Sequence, residues 1–567
     1  MPPVQPTSRR RFVIRVASAS AALGVIPLLT ACGGGDDAPP EFAYGVASGD
    51  PLADRVILWT HAQWPGFNDA VPLTWQVATD AAFTTVVASG TAQATAATGH
   101  AVKVDALNLS AGNDYFFRFR YGLHASPVGR TRTLPAPGAA SLNLAVMSCS
   151  NFPAGFFNAY AEIARSQAQF ALHLGDYIYE YAADGYASAD ARRLDRVSQP
   201  AHECLTLSDY RQRYAQYRSD PDSKVFHASM PIIAVWDDHE LANNTYVNGA
   251  ENHTEGAEGT FVARRAAALQ AWHEWMPVRT PDHTDLRMIY RSFNFGGLVA
   301  LHMLETRLIG RDRQVGFAEL LNPATAAAAQ AAMASPTRSM LGSRQLQWLQ
   351  AQMAQSSAAW QVLGQPVLMA RMSFPVSVLR HLNPADISPA AVAAGQQAVT
   401  NYLSAKATAA QNPALLSAEQ RALLDPSQNP RLGYNLDAWD GYPVEREVLL
   451  SSAAQLRKRL VVLAGDTHNA WASQLTLRDG TVVGYEFAAP SISSPGLEEA
   501  LPTLLPAQTQ QTFRGIVDDL RYADTSRRGF LLVRFTPASA QGTWHFVSTV
   551  KSRTYTVQTS APLSYAV

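Results

Sequence analysis

The apolar positions of the chain fall into two textures. Between residues 41 and 134 they come in short runs: Val56-Ile57-Leu58-Trp59, Leu73-Thr74-Trp75-Gln76-Val77 and Val86-Val87-Ala88. Within 115–121, Phe117, Phe119 and Tyr121 share one face while Arg118 and Arg120 take the other, the period of a half-buried strand. Ser48-Gly49-Asp50-Pro51, Ala111-Gly112-Asn113 and Ala125-Ser126-Pro127 are turn signals between such runs. The pattern predicts a small all-β, fibronectin-like sandwich over 41–134. After the linker Leu134-Pro135-Ala136-Pro137-Gly138 the apolar runs lengthen and alternate with helical stretches. The runs at 142–147, 170–174, 231–236 and 459–464 read as strands buried on both faces, as in an α/β domain occupying 141–567. Two Ala-rich stretches, 324–334 and 389–424, are predicted helical, the second as an insertion that could cover the site, with a plain packing helix the better description of most of it.

The first residues have a different purpose. Ser8-Arg9-Arg10-Arg11-Phe12-Val13, followed by an apolar stretch over 16–29, has the form of a twin-arginine export signal. Leu29-Thr30-Ala31-Cys32 has the form of a bacterial lipobox. The predicted arrangement is a signal over 1–31, a lipid on Cys32 and a flexible tether over 32–40. An ordinary signal with an incidental Cys32 is the alternative. The protein is thus expected in the periplasm or at the cell surface of a bacterium, touching the membrane through its N-terminal lipid. No apolar run of 18 or more residues follows position 31, so no span is predicted in the mature chain.

Lys plus Arg number 45 and Asp plus Glu 46, a net charge of −1 that becomes −5 once the signal and its four arginines are removed. Such a balance offers no field to gather nucleic acid, and no specific nucleic-acid partner is expected. Three cysteines exclude a disulfide scaffold, although Cys149 and Cys204 remain open as a pair in an oxidising compartment. The twin-arginine route carries folded proteins, which suits a protein that loads metal before export.

Four strand ends carry the candidate chemistry. They are Ser148-Cys149-Ser150-Asn151, Gly175-Asp176-Tyr177-Ile178-Tyr179, Trp236-Asp237-Asp238-His239-Glu240 with Asn243-Asn244, and Gly465-Asp466-Thr467-His468. Open α/β sheets place their sites at such carboxyl ends. Carboxylates gathered in a pocket need cations to offset the cost of burying charge. Asp176 has two oxygens with which to bridge two ions, and Tyr179 is near enough in sequence to turn a phenolate back to one of them. Phenolate, the Cys149 thiolate and the His468 imidazole suit iron, whereas oxygens from Asp238, Asn243 and Asp466 suit calcium, magnesium or manganese. Two adjacent cations would clamp the attacking and leaving oxygens of a phosphoryl transfer.

The four motifs in this order resemble the PhoD-like alkaline phosphatases, exported metallophosphoesterases whose site is similar to that of purple acid phosphatases. The resemblance extends to Asp209-Tyr210-Arg211-Gln212-Arg213-Tyr214, Glu305-Thr306-Arg307, Leu341-Gly342-Ser343-Arg344-Gln345, Trp439-Asp440-Gly441-Tyr442-Pro443 and Gly45-Val46-Ala47-Ser48-Gly49-Asp50. It implies a four-layer sandwich of two β-sheets flanked by helices, preceded by the small β-sandwich. It also implies Fe(III) held by Cys149, Asp176, Tyr179 and His468. Calcium sits beside it, shared through Asp176 and completed by Asp466 and by Asp238 or Asn243. His239 is expected near the phosphate or behind the ligands, and Arg307 either on a substrate oxyanion or in a surface or structural ion pair. The implied activity is hydrolysis of small phosphate monoesters or of phosphodiesters by a monomer. Two rival readings stand beside it: an inactive surface binding lipoprotein of the same fold, and a zinc hydrolase using Cys149, His468 and carboxylates. Tyr179 weighs against zinc, for which phenolate is an uncommon ligand. His173 and His302, inside apolar runs, read as core histidines.

Overall fold

The reason the long runs are apolar on both faces is visible in their packing. In the strand Leu460–Ala464, Val461 and Leu463 face a core shared by two sheets, while Leu460, Val462 and Ala464 face helices on the outside. Those helices, Ser343–Gln355 and Pro443–Gln455, supply Leu349, Met353, Leu449 and Leu450. Burying each such side chain contributes roughly 1.5–3 kcal/mol. The structure, a computed structural model, describes residues 41–63, 70–381, 388–501 and 505–566. The export signal, Cys32 and the tether lie outside the described residues.

The layers are helix, sheet, sheet, helix. In the ten-stranded sheet, Leu142–Met147, Phe170–Leu174 and Ile232–Val235 run parallel, with Ala145 opposite Ala171 and Ala171 opposite Ile232. Helices Asn158–Arg165, Leu207–Ser219, Pro221–Ser229 and Phe261–Trp275 pack on it through Tyr160, Tyr214, Phe226 and Trp272. In the seven-stranded sheet, Val299–Met303, Trp360–Gly364, Leu460–Ala464 and Val482–Ala488 also run parallel. The two sheets are stitched at one edge, where Ser148 bridges Ser491 and Ile492 N–H donates to Ser148 O at 3.0 Å. The carboxyl ends of both sets of strands therefore meet. Among the described residues, no helix is long and apolar enough to cross a membrane.

The N-terminal sandwich forms, but one of its sheets is not its own. Val71–Ala78, Val86–Ala94, Asp114–Tyr121, His124–Ala125 and Gly129–Arg132 make a separate five-stranded sheet. Val46–Gly49, Val56–His61 and Ala101–Ala106 instead continue the ten-stranded sheet, with Gly49 paired in parallel to Ile232. Val46, Leu58 and Val102 pack against Leu73, Val77, Phe117 and Phe119 to close the sandwich. The Ala-rich stretches are helical, over Ala326–Met333 and over Pro389–Gln411 with Ala418–Leu424. The second is a packing helix and does not cover the site. Its buried residues Tyr402 and Ala405 turn elsewhere, Tyr402 packing in the outer core with Phe513 and donor Arg431 bonding its hydroxyl.

Asp50, at the end of the first strand, explains its motif. Its carboxylate, wholly buried, takes both Arg291 donors at 2.9 and 2.6 Å and Arg279 N–H at 2.7 Å. It thereby joins the N-terminal strands to the chain entering the second sheet. Asp50→Asn keeps the shape and tolerates the left-handed backbone (φ 42), but leaves Arg291 without its counter-charge. We expect a loss of about 3 kcal/mol, read as a lower urea midpoint at unchanged slope.

Candidate metal centre

The site is assembled from backbone in an unusual conformation. Cys149, Asp176, Asp466 and His468 all lie in the left-handed region, with φ of 61, 54, 61 and 61°. That region costs a side chain about 1 kcal/mol or more, and persists only where surroundings enforce it. Here they do. Glu240, buried, accepts from Asp176 N–H at 3.0 Å, Tyr177 N–H at 2.7 Å and Asp237 N–H at 2.9 Å, so one carboxylate fixes two strand ends. Cys149 N–H donates to Gly175 O and Ser150 N–H to Asp176 O, at 3.1 and 2.9 Å. Gly175 and Gly465 allow the loops to touch: an added Cβ would lie 2.4 Å from Asp237 Cβ in the first and 2.5 Å from Ser148 Oγ in the second.

Two donor groups result, and Asp176 belongs to both. Ligand atoms of Cys149, Asp176 and His468 lie within 4.8 Å of one another, as do those of Asp176, Asp238 and His239. Tyr179 Oη enters the first group, 3.0 Å from Asp176 Oδ2 and 3.1 Å from His468 Nε2. Ser494 Oγ donates to that phenol at 2.7 Å. His468 Nδ1 donates to Pro495 O at 2.7 Å, which leaves Nε2 as the lone-pair nitrogen. Asp238 accepts from His239 N–H at 3.1 Å and Asn244 N–H at 2.7 Å. His239 Nδ1 is held by Glu180 Oε2 at 2.8 Å.

The electrostatics call for positive charge. Burial, reinforced by neighbouring acids, pushes the Cys149 thiol, the Tyr179 phenol and the Asp466 carboxyl well above their ordinary values. Burial also raises Asp176, with Asp238 and Asp237 adding to the effect. The same cause lifts Asp237 to about 6 and Glu240 to about 8. His468 is driven by burial to about 3 and is neutral. Against burial, Asp238, Glu180 and Asp176 hold His239 charged, while His239 and Arg307 keep the Asp238 carboxyl ionised. Asp176 Oδ1 is buried with no hydrogen-bond partner among the described residues. Thiol, phenol, imidazole and carboxylates converging on such an atom fit cations, whose charge would ionise the donors in place of protons.

Most of the residues predicted for the site meet there, with three differences. Cys149 and Cys204 are both free and buried, so the disulfide alternative is excluded: Cys149 faces Ser148 Oγ at 3.1 Å and the candidate ligands Asp176 and His468. Arg307 meets no substrate. Its guanidinium is fully buried, with Nε donating to Asp237 at 2.5 Å, Nη1 to Asp437 at 2.9 Å, and Nη2 3.8 and 3.9 Å from Asp238 and Asp466. It is the counter-ion of the acids. Asn243 lines the cavity, but its amide nitrogen donates to Glu251 at 3.2 Å, whereas Asp238 faces Asp176 directly. Asp466 lies in the wall, 3.3 Å from Asn435 Nδ2. His173 and His302 are core residues, bonded to Tyr160 at 3.0 Å and to Ser292 and Gln361 at 2.7 and 3.0 Å. Glu180, Asp237, Tyr186, Asn435, Asp437 and Ser494 went unassigned in the sequence. Two of them carried a local signal: Glu180 as the residue after Tyr179, and Asp237 as a member of the third motif.

The site opens on a cavity of about 350 Å³. Asp176, Asp238, His239, Asp466 and His468 line it together with the aromatic rings of Tyr181, Tyr186 and Tyr434.

Residues 144–544 match the family model described as PhoD-like phosphatase, and residues 30–135 match that of the PhoD-like phosphatase N-terminal domain. Alkaline phosphatase D of Bacillus subtilis (strain 168) is 35% identical over 471 residues, covering 80% of this chain and 70% of that protein. A solved structure titled "Structure of PhoD" superposes with a TM-score of 0.73 at 30% identity, covering 94% of this chain and 92% of that one.

Membership of both donor groups makes Asp176 the residue least open to substitution. Asp176→Asn is expected to reduce occupancy of two metals at once, whereas His468→Ala and Asp466→Asn each deplete mainly one. Metal analysis of the three purified variants beside the parent protein checks this; full occupancy in Asp176→Asn would refute the shared ligand.

Proposed function

The chain belongs to the PhoD-like phosphatase family, and on that premise we propose that it is an exported, lipid-anchored hydrolase of phosphate mono- and diesters using iron(III) and calcium. One observation carries the reading: Asp176 stands in two donor groups of different chemistry. Cys149, Tyr179 and His468, with Asp176, offer thiolate, phenolate, imidazole and carboxylate, a set suited to a trivalent iron. Asp238 and Asp466, with the other oxygen of Asp176, offer the hard oxygens suited to calcium. Asp238, whose ligand atom lies within 4.8 Å of Asp176, and Asn243, which lines the same cavity, are the two candidates from the third motif. The convergence of the Tyr179 phenol on the first group weighs against zinc, and the complete donor set weighs against an inactive binding lipoprotein. The twin-arginine pattern at 8–13 and the lipobox ending in Cys32 support export and anchoring.

When bound, two such cations supply Lewis acidity at the phosphoryl group. The chain's own residues supply the rest. His239, kept cationic by Glu180 and Asp238, turns Nε2 to the cavity, where it holds a proton for the departing alcohol. Glu180 also accepts from Asn243 N–H and Asn252 Nδ2 at 2.8 and 2.9 Å, which fixes its aim. Arg307 favours the ionised forms of Asp237, Asp238 and Asp466 against the effect of burial, and does so from outside the cavity. Tyr186, whose hydroxyl lies 3.3 Å from His468 Nδ1, and Tyr181, beside His239, screen the site from solvent.

Two measurements test the metals. Protein loaded in the cell is expected to absorb visible light through charge transfer to iron(III), and Tyr179→Phe to shift or remove the band. A colourless, active enzyme holding zinc would overturn the iron assignment. A calcium chelator is expected to abolish hydrolysis of p-nitrophenyl phosphate and its bis-ester, and added calcium to restore it. Undiminished turnover after exhaustive chelation would rule out an exchangeable calcium.

A further inference from the structure

A second cavity, of about 430 Å³, adjoins the metal-site cavity and shares two wall residues with it, Asn244 and Asn435. Both asparagines face the chemistry on one side: Asn244 N–H bonds Asp238 and Asn435 Nδ2 bonds Asp466. On the far side the wall changes character. Val315, Phe317 and Leu436 give it an apolar surface, part of a small cluster of their own with Leu320 and Ala329. Gln314 adds a polar element: its Oε1 is buried with no partner among the described residues.

The one cation among the described residues of this wall is already matched within the protein. Arg313 pairs with Glu319 at 2.6 Å, and Asp437 with Arg307 and Arg311 at 2.9 and 3.0 Å, while Glu251 receives only the neutral amides of Asn243 and Asn244. A second phosphate would find no unpaired cation here and would face the Glu251 carboxylate. What fits is a neutral group with an apolar face and a hydroxyl for a waiting acceptor.

We infer that this cavity is a subsite for the second esterified alcohol of a phosphodiester, a neutral hydroxylated organic group, seated beyond Asn244 and Asn435 while its phosphate lies over Asp176. The inference rests on the phosphatase reading and deepens it. A monoester has nothing to place there. A diester gains a second contact area, and the binding energy of that remote group positions the phosphorus for attack.

Gly316 provides the test. It lines the cavity, and a Cβ built on it has no atom within 4 Å, so a larger side chain enters open space. The experiment compares Gly316→Phe and Gln314→Leu with the parent protein on three substrates: p-nitrophenyl phosphate, bis(p-nitrophenyl) phosphate and the p-nitrophenyl ester of thymidine 5′-phosphate. Thermal melting confirms that each variant is folded. In Gly316→Phe, kcat/KM on both diesters is expected to fall at least tenfold, mainly through KM, with the monoester unchanged within twofold. In Gln314→Leu the thymidine diester, which carries a hydroxyl, is expected to lose more than the bis-nitrophenyl ester. Equal losses on monoester and diesters, or no loss on either, would overturn the subsite. A misfolded Gly316→Phe leaves the decision to Gln314→Leu, whose equal effect on the two diesters would overturn it too. A parent protein inert toward p-nitrophenyl phosphate would instead refute the phosphatase reading itself.

Discussion

One buried guanidinium decides what the edge between the two sheets can hold. Arg307 leaves the end of Val299–Met303 in the seven-stranded sheet and reaches acids on both sides: Asp237 and Asp238 after Ile232–Val235, Asp437, and Asp466 after Leu460–Ala464. Without it these carboxylates would repel one another in a place water barely reaches, and removing one partner of such a buried pair is strongly destabilising. The guanidinium is itself aimed by a carboxylate. Glu305, fully buried, accepts from Arg307, Leu308 and Ile309 N–H at 2.8, 2.7 and 2.9 Å and from Trp236 Nε1 at 2.9 Å. Glu240 does the same for the loops of Asp176 and Asp237. Two glutamates that never meet the substrate therefore hold the backbone, one arginine holds the charge, and the ligands are left with an excess of negative donors that cations satisfy.

How far this was legible in the residues depends on locality. Cys149, Asp176 and His468 could be read because each follows an apolar strand within a few positions, and parallel strands bring their ends to one edge. The double role of Asp176 was legible for the same reason. The set of acids around Arg307 was not, because they come from both sheets and from a loop, and sequence shows no distance between Glu305-Thr306-Arg307 and Asp437. Glu240 sits in the Asp-Asp-His-Glu run but spends its carboxylate on backbone donors, which no pattern of side chains advertises. For the Ala-rich insertion, composition gives helicity and not address: of its two readings the structure has the packing helix, with Tyr402 turned to Phe513 and Arg431. The sandwich was legible in its strand texture, but its sharing of a sheet was not, because the texture changes at the linker while the hydrogen-bonded sheet does not stop there.

The ligand loops show a division between strain and support. Four candidate ligands occupy left-handed backbone, at a cost that a flexible loop would relieve. Cys149 and Asp176 are held by hydrogen bonds to neighbouring strand ends, and His468 and Asp466 by Pro495 and Asn435, so the cost is shared with the surrounding structure. Preorganisation of this kind matters most when the donors would otherwise take up protons and turn apart.

The pairing of Gly49 with Ile232 has a consequence for assembly. The first strands of the chain complete a sheet whose centre is encoded almost two hundred residues later, and whose other flank, Arg528–Phe535 against Leu142–Met147, comes near the chain's end. Such order places the longest loop closures in the central sheet, so final closure waits for nearly the whole polypeptide. Until Val46–Gly49 docks, Ile232–Val235 is an open parallel edge with unpaired backbone donors, prone to join another chain. The N-terminal sandwich is in this sense a stopper on the catalytic sheet: its strands end the ladder before a second molecule can extend it.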